Sequence, residues 1–335
     1  KTKIMSFDQG SSVTLKGVTT MTDESMYGIV TPVSQDESAG YVGGKYEVDK
    51  NVVSDKALRT IGAVRRAGRF IMAGMDAPLY PDSNDENVWA HWSRGNYGPG
   101  DWSGSHNDLA AGVDLYHTDH SRAGISVMHT NSSLDRTENL GEVSMKKKFT
   151  RVSLYGCHDF AGGLHAAGDV FAGGIRIKDT SLVDMSTRTA GVHAEVGVDV
   201  PAGRGTITPL VRAAYAGIRG FTTKDGKGFP FTMKESHYSS FSAGLKASLP
   251  LSPVSLLTAY AGWGIRTGYD IDGTMSDAWN TMDISESGKE HVKTLGIGYR
   301  CDVTPFARLS LSAAREFSSG LHDDWNFQVS AAYKF

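Results

Sequence analysis

Three short clusters in this 335-residue chain hold residue types used in nucleophilic and acid–base catalysis: Asp119-His120, Cys157-His158-Asp159 and His322-Asp323-Asp324. Such chemistry needs a base within hydrogen-bond reach of the nucleophile and an acid to orient that base. A fourth group is purely basic, with Lys56, Arg59, Arg65, Arg66 and Arg69 crowding the stretch from Ser54 to Met75. Acids able to answer those cations lie well downstream, at Asp114, Glu195 and Asp199. Which of these groups can meet depends on the elements that carry them.

The basic stretch reads as a helix. Ser54 is a fitting N-cap and Asp55 falls in the first turn, where both suit the helix dipole. Leu58, Ile61, Arg65 and Arg69 advance at helical spacing, and Ala57, Val64 and Ile71 form a neighbouring row. Taken alone, this is a basic amphipathic surface helix.

After Asn87 the period becomes two. Near the end of the chain, Trp325, Phe327, Val329, Ala331, Tyr333 and Phe335 alternate with Asn326, Gln328, Ser330, Ala332 and Lys334. Strand pleating puts each set on its own face. The same alternation predicts twelve strands, over 87–97, 107–117, 121–131, 146–160, 164–178, 188–200, 206–219, 236–249, 254–269, 290–303, 306–317 and 325–335. Only Val170 to Ile177 is ambiguous in phase.

Connections alternate in length. His117–Ser121, Phe160–Gly163, Pro201–Gly205, Pro250–Pro253 and Thr304–Pro305 are tight, whereas Gly98–His106, Asn131–Met145, Gly220–Glu235 and Asp270–Lys289 are long and polar. Short turns on one rim and long loops on the other fit an up-and-down barrel. The apolar faces of twelve strands carry more side chains than the interior of such a barrel needs, so they face lipid and the polar set lines a wet lumen. The expected fold is all-β: a twelve-stranded antiparallel up-and-down transmembrane β-barrel with an α-helix threaded through the lumen. Glycine, at 39 of 335 residues against an ordinary share of roughly 7%, would leave room on the lumenal face. In this setting the helix cations are expected to meet the lumenal acids Asp114, Glu195 and Asp199.

Composition narrows function. With 34 basic and 37 acidic residues, no cationic excess exists to neutralise nucleic-acid phosphates, so no nucleic-acid partner is expected. Two cysteines exclude a disulfide scaffold, and eleven scattered histidines lack metal-ligand spacing. Neither a metal nor a cofactor is expected. Cys157 and Cys301 fall on distant strands and are expected to stay unpaired. The longest uncharged stretch, Ala247 to Ile265, contains Pro250, Pro253, Gly262 and Gly264, which argue against a spanning helix. Lys1-Thr2-Lys3-Ile4 has no initiating Met and no signal peptide, so the sequence reads as an excised or processed piece.

A helix followed by twelve alternating strands and a C-terminal aromatic resembles the translocator (β) domain of a single-chain autotransporter of the type V (Va) secretion system. The matching pieces are Val88-Trp89-Ala90, Leu109-Ala110-Ala111-Gly112-Val113-Asp114, Pro201-Ala202-Gly203 before Thr208-Pro209-Leu210-Val211, and Ala331-Ala332-Tyr333-Lys334-Phe335. The resemblance covers residues 50–335 and implies a monomeric bacterial outer-membrane barrel, with helix and loops reaching the surface, that enables export of its own N-terminal passenger. It also implies contact with outer-membrane lipid and lipopolysaccharide, and with the barrel-assembly machinery and periplasmic chaperones. Phe335, Tyr333, Ala331, Val329 and Phe327 would form the assembly signal. Residues 1–50 would be a passenger remnant or linker, 51–80 the lumenal helix and lead-in, and 81–335 the barrel. Some members cleave their passenger at a paired asparagine. This chain has Asn51 without an adjacent asparagine, which leaves it a weak self-cleavage candidate.

Two other readings compete. A plugged outer-membrane pore would share the fold, with the helix limiting conduction. An outer-membrane barrel hydrolase would need one of the three clusters, and alternation sends Cys157 to the lumen and His158 to lipid. Asp119-His120 lies in a tight turn and His322-Asp323-Asp324 in a loop on the opposite rim, so no enzyme is expected.

Overall fold

The computed structural model describes residues 51–80, 87–97, 102–138, 141–179, 184–223, 228–268, 271–277, 280–318 and 324–334, with short segments between 5 and 50. Among these residues, twelve long strands succeed one another around one antiparallel sheet. They are β1 (Val88–Tyr97), β2 (Trp102–His117), β3 (Ser121–Glu138), β4 (Gly141–Asp159), β5 (Leu164–Asp179), β6 (Asp184–Val198), β7 (Gly205–Ile218), β8 (Ser236–Ser252), β9 (Ser255–Thr267), β10 (Lys289–Asp302), β11 (Ala307–Ser318) and β12 (Asp324–Tyr333). Each pairs with the next, and β12 returns to β1 in register from Trp325↔Asn96 to Tyr333↔Val88, closing the barrel.

All four expected long loops turn out to carry strand, and in Gly98–His106 this is the start of β2 at Trp102. Most of the Asn131–Met145 connection is paired, since β3 runs to Glu138 and β4 begins at Gly141, directly opposite it. Outward side chains there are polar (Asn131, Ser133, Asp135), so the hydropathy alternation that marks a strand disappears while the hydrogen-bonded ladder continues. The other departure is larger. Residues from 220–235 and 270–289 supply Phe221–Thr222, Phe231–Met233, Ile271–Ser276 and Thr281–Glu286, which pair as one four-stranded sheet over the long-loop end. The first two have two and three residues, too few to announce themselves by period, while Ile271–Ser276 and Thr281–Glu286 have six each and sit in polar sequence. At the edge of this cap, Asp272 accepts from Lys234 at 2.9 Å and holds that exposed ammonium above the usual lysine range.

The wall changes solvent along its height. Near the short turns the outward residues are apolar: Val152 and Leu154 are 57% and 58% exposed, and Val127, Val170, Val192, Val211, Leu245 and Leu295 join them in a belt. Exposed Tyr116, Phe160, Phe306 and Tyr333 rim the belt below, and Tyr215, Trp263 and Trp325 rim it above. Toward the long loops the polarity inverts. Lys146, Lys148, Arg176 and Arg188 point out, while Met145, Phe149, Ile175, Ile177 and Met185 are buried inside. This inversion explains the ambiguous phase of Val170 to Ile177: Val170 faces outward in the belt, whereas Ile175 and Ile177 face inward above it.

Those inward apolar residues receive the helix. The helix α1 (Asp55–Met72) is capped by Ser54, whose hydroxyl accepts from Ala57 N at 3.3 Å. Its buried face is Ala57, Ala63, Val64, Ala67, Phe70 and Ile71, in one apolar cluster with Phe149, Ile175 and Ile177. Each large side chain so buried contributes about 1.5–3 kcal/mol. Leu58, on the row with Ile61 and Arg65, is 53% exposed beside exposed Arg59 and Arg65. The cap covers another side. Phe229 N donates to Thr60 Oγ1 at 3.3 Å, and a Cβ added at Gly68 would collide with the Ile271 side chain.

Lumenal glycines make room mostly for rings of the wall itself. A Cβ at Gly112 would lie 2.5 Å from the Trp89 indole, one at Gly191 2.6 Å from the Phe171 ring, and one at Gly244 2.7 Å from the Tyr260 ring. Aromatic side chains lying over cross-strand glycines stiffen a sheet that must bend. The expectation that this space serves a threaded helix is corrected accordingly.

Candidate functional site

The candidate site is the seat that holds the chain as it leaves α1 and descends the bore. At the top, the fully buried Lys147 of β4 donates its Nζ to the Phe70 and Ala73 carbonyls at 2.9 and 2.7 Å, with the Phe70 ring 4.9 Å away. A cation placed on the last carbonyls of a helix satisfies orphan acceptors and meets the negative end of the helix dipole. The apolar Met145–Phe149 face puts this lysine inside although its neighbours Lys146 and Lys148 point out.

Below α1 the chain turns through residues 73–76, with Gly74 at φ 78°, and runs on without regular structure through 77–80; together these residues form a strap. Arg151, four residues further down β4, donates to the Ala77 carbonyl and lies 5.8 and 5.1 Å from the rings of Phe149 and Phe171. His193 of β6 bridges the strap to the wall, with Nε2 at 2.7 Å from Met75 O and Nδ1 at 2.8 Å from Asp169 Oδ1. Both ring nitrogens therefore face oxygens, one on the strap and one on the wall. Ser126 donates to Leu79 O at 3.0 Å, and Asp169 accepts from Leu79 N at 3.5 Å. From β9, across the barrel, Arg266 holds Asp76 at 2.7 Å and is itself gripped by Glu316 of β11. The strap is thus fastened from β3, β4, β5, β6 and β9.

Beneath it the bore is polar and open. A cavity of about 540 Å³ is lined by Tyr80, Arg122, Cys157, His165, Lys246 and Arg300, among others. A second, of about 310 Å³, reaches Asp76, His193, Arg212 and Arg266.

Expected site residues are distributed differently. Asp114 accepts from Tyr155 Oη at 2.6 Å and contacts His117 Nδ1 at 2.9 Å; Glu195 pairs with Arg212, and Asp199 accepts from Thr208. These acids bond within the wall near the short turns, below the level of α1, so the expected pairing with helix cations is replaced by wall pairs. Of those cations, Arg59 and Arg65 face solvent, Lys56 lies 4.7 Å from the Phe229 ring, Arg66 is half-buried, and the side chain of Arg69 lies outside the described residues. The helix therefore sits in the upper barrel under its cap, and the strap, rather than helix, fills the apolar-belted level. Asn51 lies on the Glu47–Val53 strand upstream of α1. An 18-residue helix of about 27 Å separates it from the lumenal acids.

Cys157 lines the lower cavity, while His158 points outward, with Nδ1 2.6 Å from Ser121 Oγ and its ring against Phe160. Asp119-His120 stays in the short turn, and His322-Asp323 lie outside the described residues. Phe327, Val329, Ala331 and Tyr333 all face outward on β12. Phe335 lies outside the described residues. The seat residues Lys147, Arg151, Asp169, His193 and Arg266 were missed as a group. Their signal was available: Met145, Lys147, Phe149 and Arg151 alternate with Lys146, Lys148 and Thr150.

A closed barrel, apolar outside at belt height and crossed inside by its own N-terminal chain, is a transmembrane translocator barrel. The autotransporter beta-domain family profile matches residues 87–314, and the chain belongs to that family of outer-membrane barrels. In overall fold it is similar to the beta domain of the Bordetella autotransporter BrkA, at 15% identity over 75% of this chain and 100% of that one, with a TM-score of 0.57. The translocator domain of NalP from Neisseria meningitidis matches at 16% identity over 82% and 98%, with a TM-score of 0.55. The transport unit of AIDA-I from Escherichia coli matches at 15% identity over 82% and 99%, with a TM-score of 0.59. No curated protein matches the chain significantly. The domain is the translocator of an autotransporter, and a passenger is linked to it.

Proposed function

We propose that this barrel has passed its N-terminal passenger to the cell surface and is then stopped by α1 and the strap. The single observation that carries this reading is chain direction: the polypeptide enters at the long-loop rim, descends the bore through Lys147, Arg151 and Ser126, and resumes at Asn87 beside Tyr333 on the short-turn rim. With the long loops outside, everything before Asp55 is on the surface and the short turns face the periplasm. Residues 1–50 are then passenger remnant or linker, 51–80 the helix and lead-in, and 81–335 the barrel.

The outward apolar belt meets outer-membrane lipid and lipopolysaccharide, and the outward row Phe327, Val329, Ala331 and Tyr333, together with the terminal residue Phe335, is the signal for periplasmic chaperones and the barrel-assembly machinery. The domain works as a monomer and is not an enzyme, because Cys157 and His158 occupy opposite faces. Asn51 sits far from the lumenal carboxylates, which supports an uncleaved linker.

The open lower cavities support a second reading, a plugged pore. Planar-bilayer conductance before and after deleting residues 54–75 tests the plug. The reading expects a small conductance that rises on deletion, and an unchanged conductance sinks it.

A further inference from the structure

Directly above the apolar belt, four adjacent strands present a concentrated cationic face to the outside. Lys146 and Lys148 of β4 stand opposite Lys178 and Arg176 of β5 in the ladder. Arg188 of β6 is one row lower, opposite Gly174. Arg219, just past β7, donates its backbone N to Arg188 O at 2.9 Å, which sets a third cationic pair side by side. All six side chains are exposed.

Asp184 stands among them, 3.1 Å from Arg176 and 3.3 Å from Lys178, and exposed Glu235 flanks Arg219 where β7 meets β8. Six cations against two acids stand out in a chain whose net charge is −3. Like charges facing each other across strands destabilise a sheet unless an anion lies between them. On β2 and β3 the outward residues at this height are Asn107, Asn131 and Ser133, so the cationic face is local.

Height identifies the anion. Lys148 is four residues above Val152, and Arg188 four above Val192, both belt residues. With strands rising about 3.3 Å per residue and tilted about 40°, the charged atoms stand roughly 10 Å above the belt, at headgroup depth. Arginine forks and lysine ammoniums are suited to phosphate. We propose that this face binds the phosphates of outer-leaflet lipopolysaccharide, with the lipid A phosphates lying between the opposed cations and the acyl chains running down the belt below. The assignment rests on the reading that the long-loop rim faces outward.

The test compares the full chain with K146Q/K148Q/R188Q and, as a control on uncharged outward residues of the neighbouring β3 at the same height, N131Q/S133N. Binding is measured to vesicles containing bisphosphorylated lipid A, to vesicles containing dephosphorylated lipid A, and with millimolar inorganic phosphate as competitor. Each cation near an anionic surface contributes about fivefold in binding, so the triple variant should bind bisphosphorylated vesicles roughly hundredfold more weakly. The control should match the parent, and inorganic phosphate should compete poorly. Heat-modifiable electrophoretic mobility verifies that each variant is folded. Equal binding by the triple variant and the parent, or no preference for phosphorylated lipid A, would overturn the proposal while leaving passenger export untouched. Efficient competition by inorganic phosphate would overturn the lipid assignment. Loss of passenger display by a wild-type barrel that still binds lipid A would instead sink the translocator reading.

Discussion

Replacing Lys147 by Met should loosen α1 without unfolding the barrel. Methionine keeps the unbranched stem and its packing on Phe70, but the Phe70 and Ala73 carbonyls lose their common donor. Two charge-assisted bonds are worth about 1.5–3 kcal/mol each in gross terms. The desolvation of an ammonium that is only 1% exposed offsets much of that gain. A cation at a helix C-terminus in a sheltered geometry nets up to about 2 kcal/mol, which we take as the expected loss. That corresponds to a roughly thirtyfold larger undocked population. Amide hydrogen exchange of α1 reads it directly, because local opening sets the exchange rate independently of global stability. The expected result is exchange about thirtyfold faster across 58–72 in the variant, with β4 and β5 unchanged. Lys146→Met, one residue away on the outer face, should leave α1 unaffected. Equal α1 exchange in both variants would refute the seat assigned to Lys147.

Other expectations follow from the same geometry. Arg266→Gln leaves Asp76 and Glu316 without their shared cation and should lower stability by about 3–5 kcal/mol; denaturant titration should show Asp76→Asn costing much less in that background than alone. Gly112→Val drives a side chain into the Trp89 ring and should cost about 1–3 kcal/mol. Trp89→Ala in the same chain should recover part of that loss, as read by the unfolding midpoint in detergent.

The barrel was legible because lipid imposes one rule on every strand at belt height. Val192, Val196 and Val198 alternate with His193, Glu195 and Gly197, and nothing else disturbs the pattern. Above the belt that rule fails. Outward residues such as Lys148 and Arg176 stand above the hydrocarbon, inward ones such as Phe149 and Ile175 meet the apolar cluster of α1, and the period carries the opposite sign. This is why the β3–β4 extension passed for a loop and Val170 to Ile177 had no clear phase. Two of the cap strands were hidden by brevity: Phe221–Thr222 and Phe231–Met233 have two and three residues, too few to establish a period. The acids failed for a different reason. Alternation assigns Asp114, Glu195 and Asp199 to the lumenal face but says nothing of their height, and all three lie beside the short turns, where Tyr155, Arg212 and Thr208 take them. The surface-helix reading of Arg59 and Arg65 turned out closer to their exposure than the threaded one.

The central claim is that the chain crosses the bore with α1 on the outer side. It is tested by single-cysteine labelling in a C157S/C301S background, where Leu58→Cys marks exposed helix at the long-loop rim and Asp119→Cys marks a short turn. A membrane-impermeant maleimide applied to intact cells should label position 58 and leave position 119 unmodified until the outer membrane is permeabilised. Labelling of 119 but not 58 in intact cells would contradict the account.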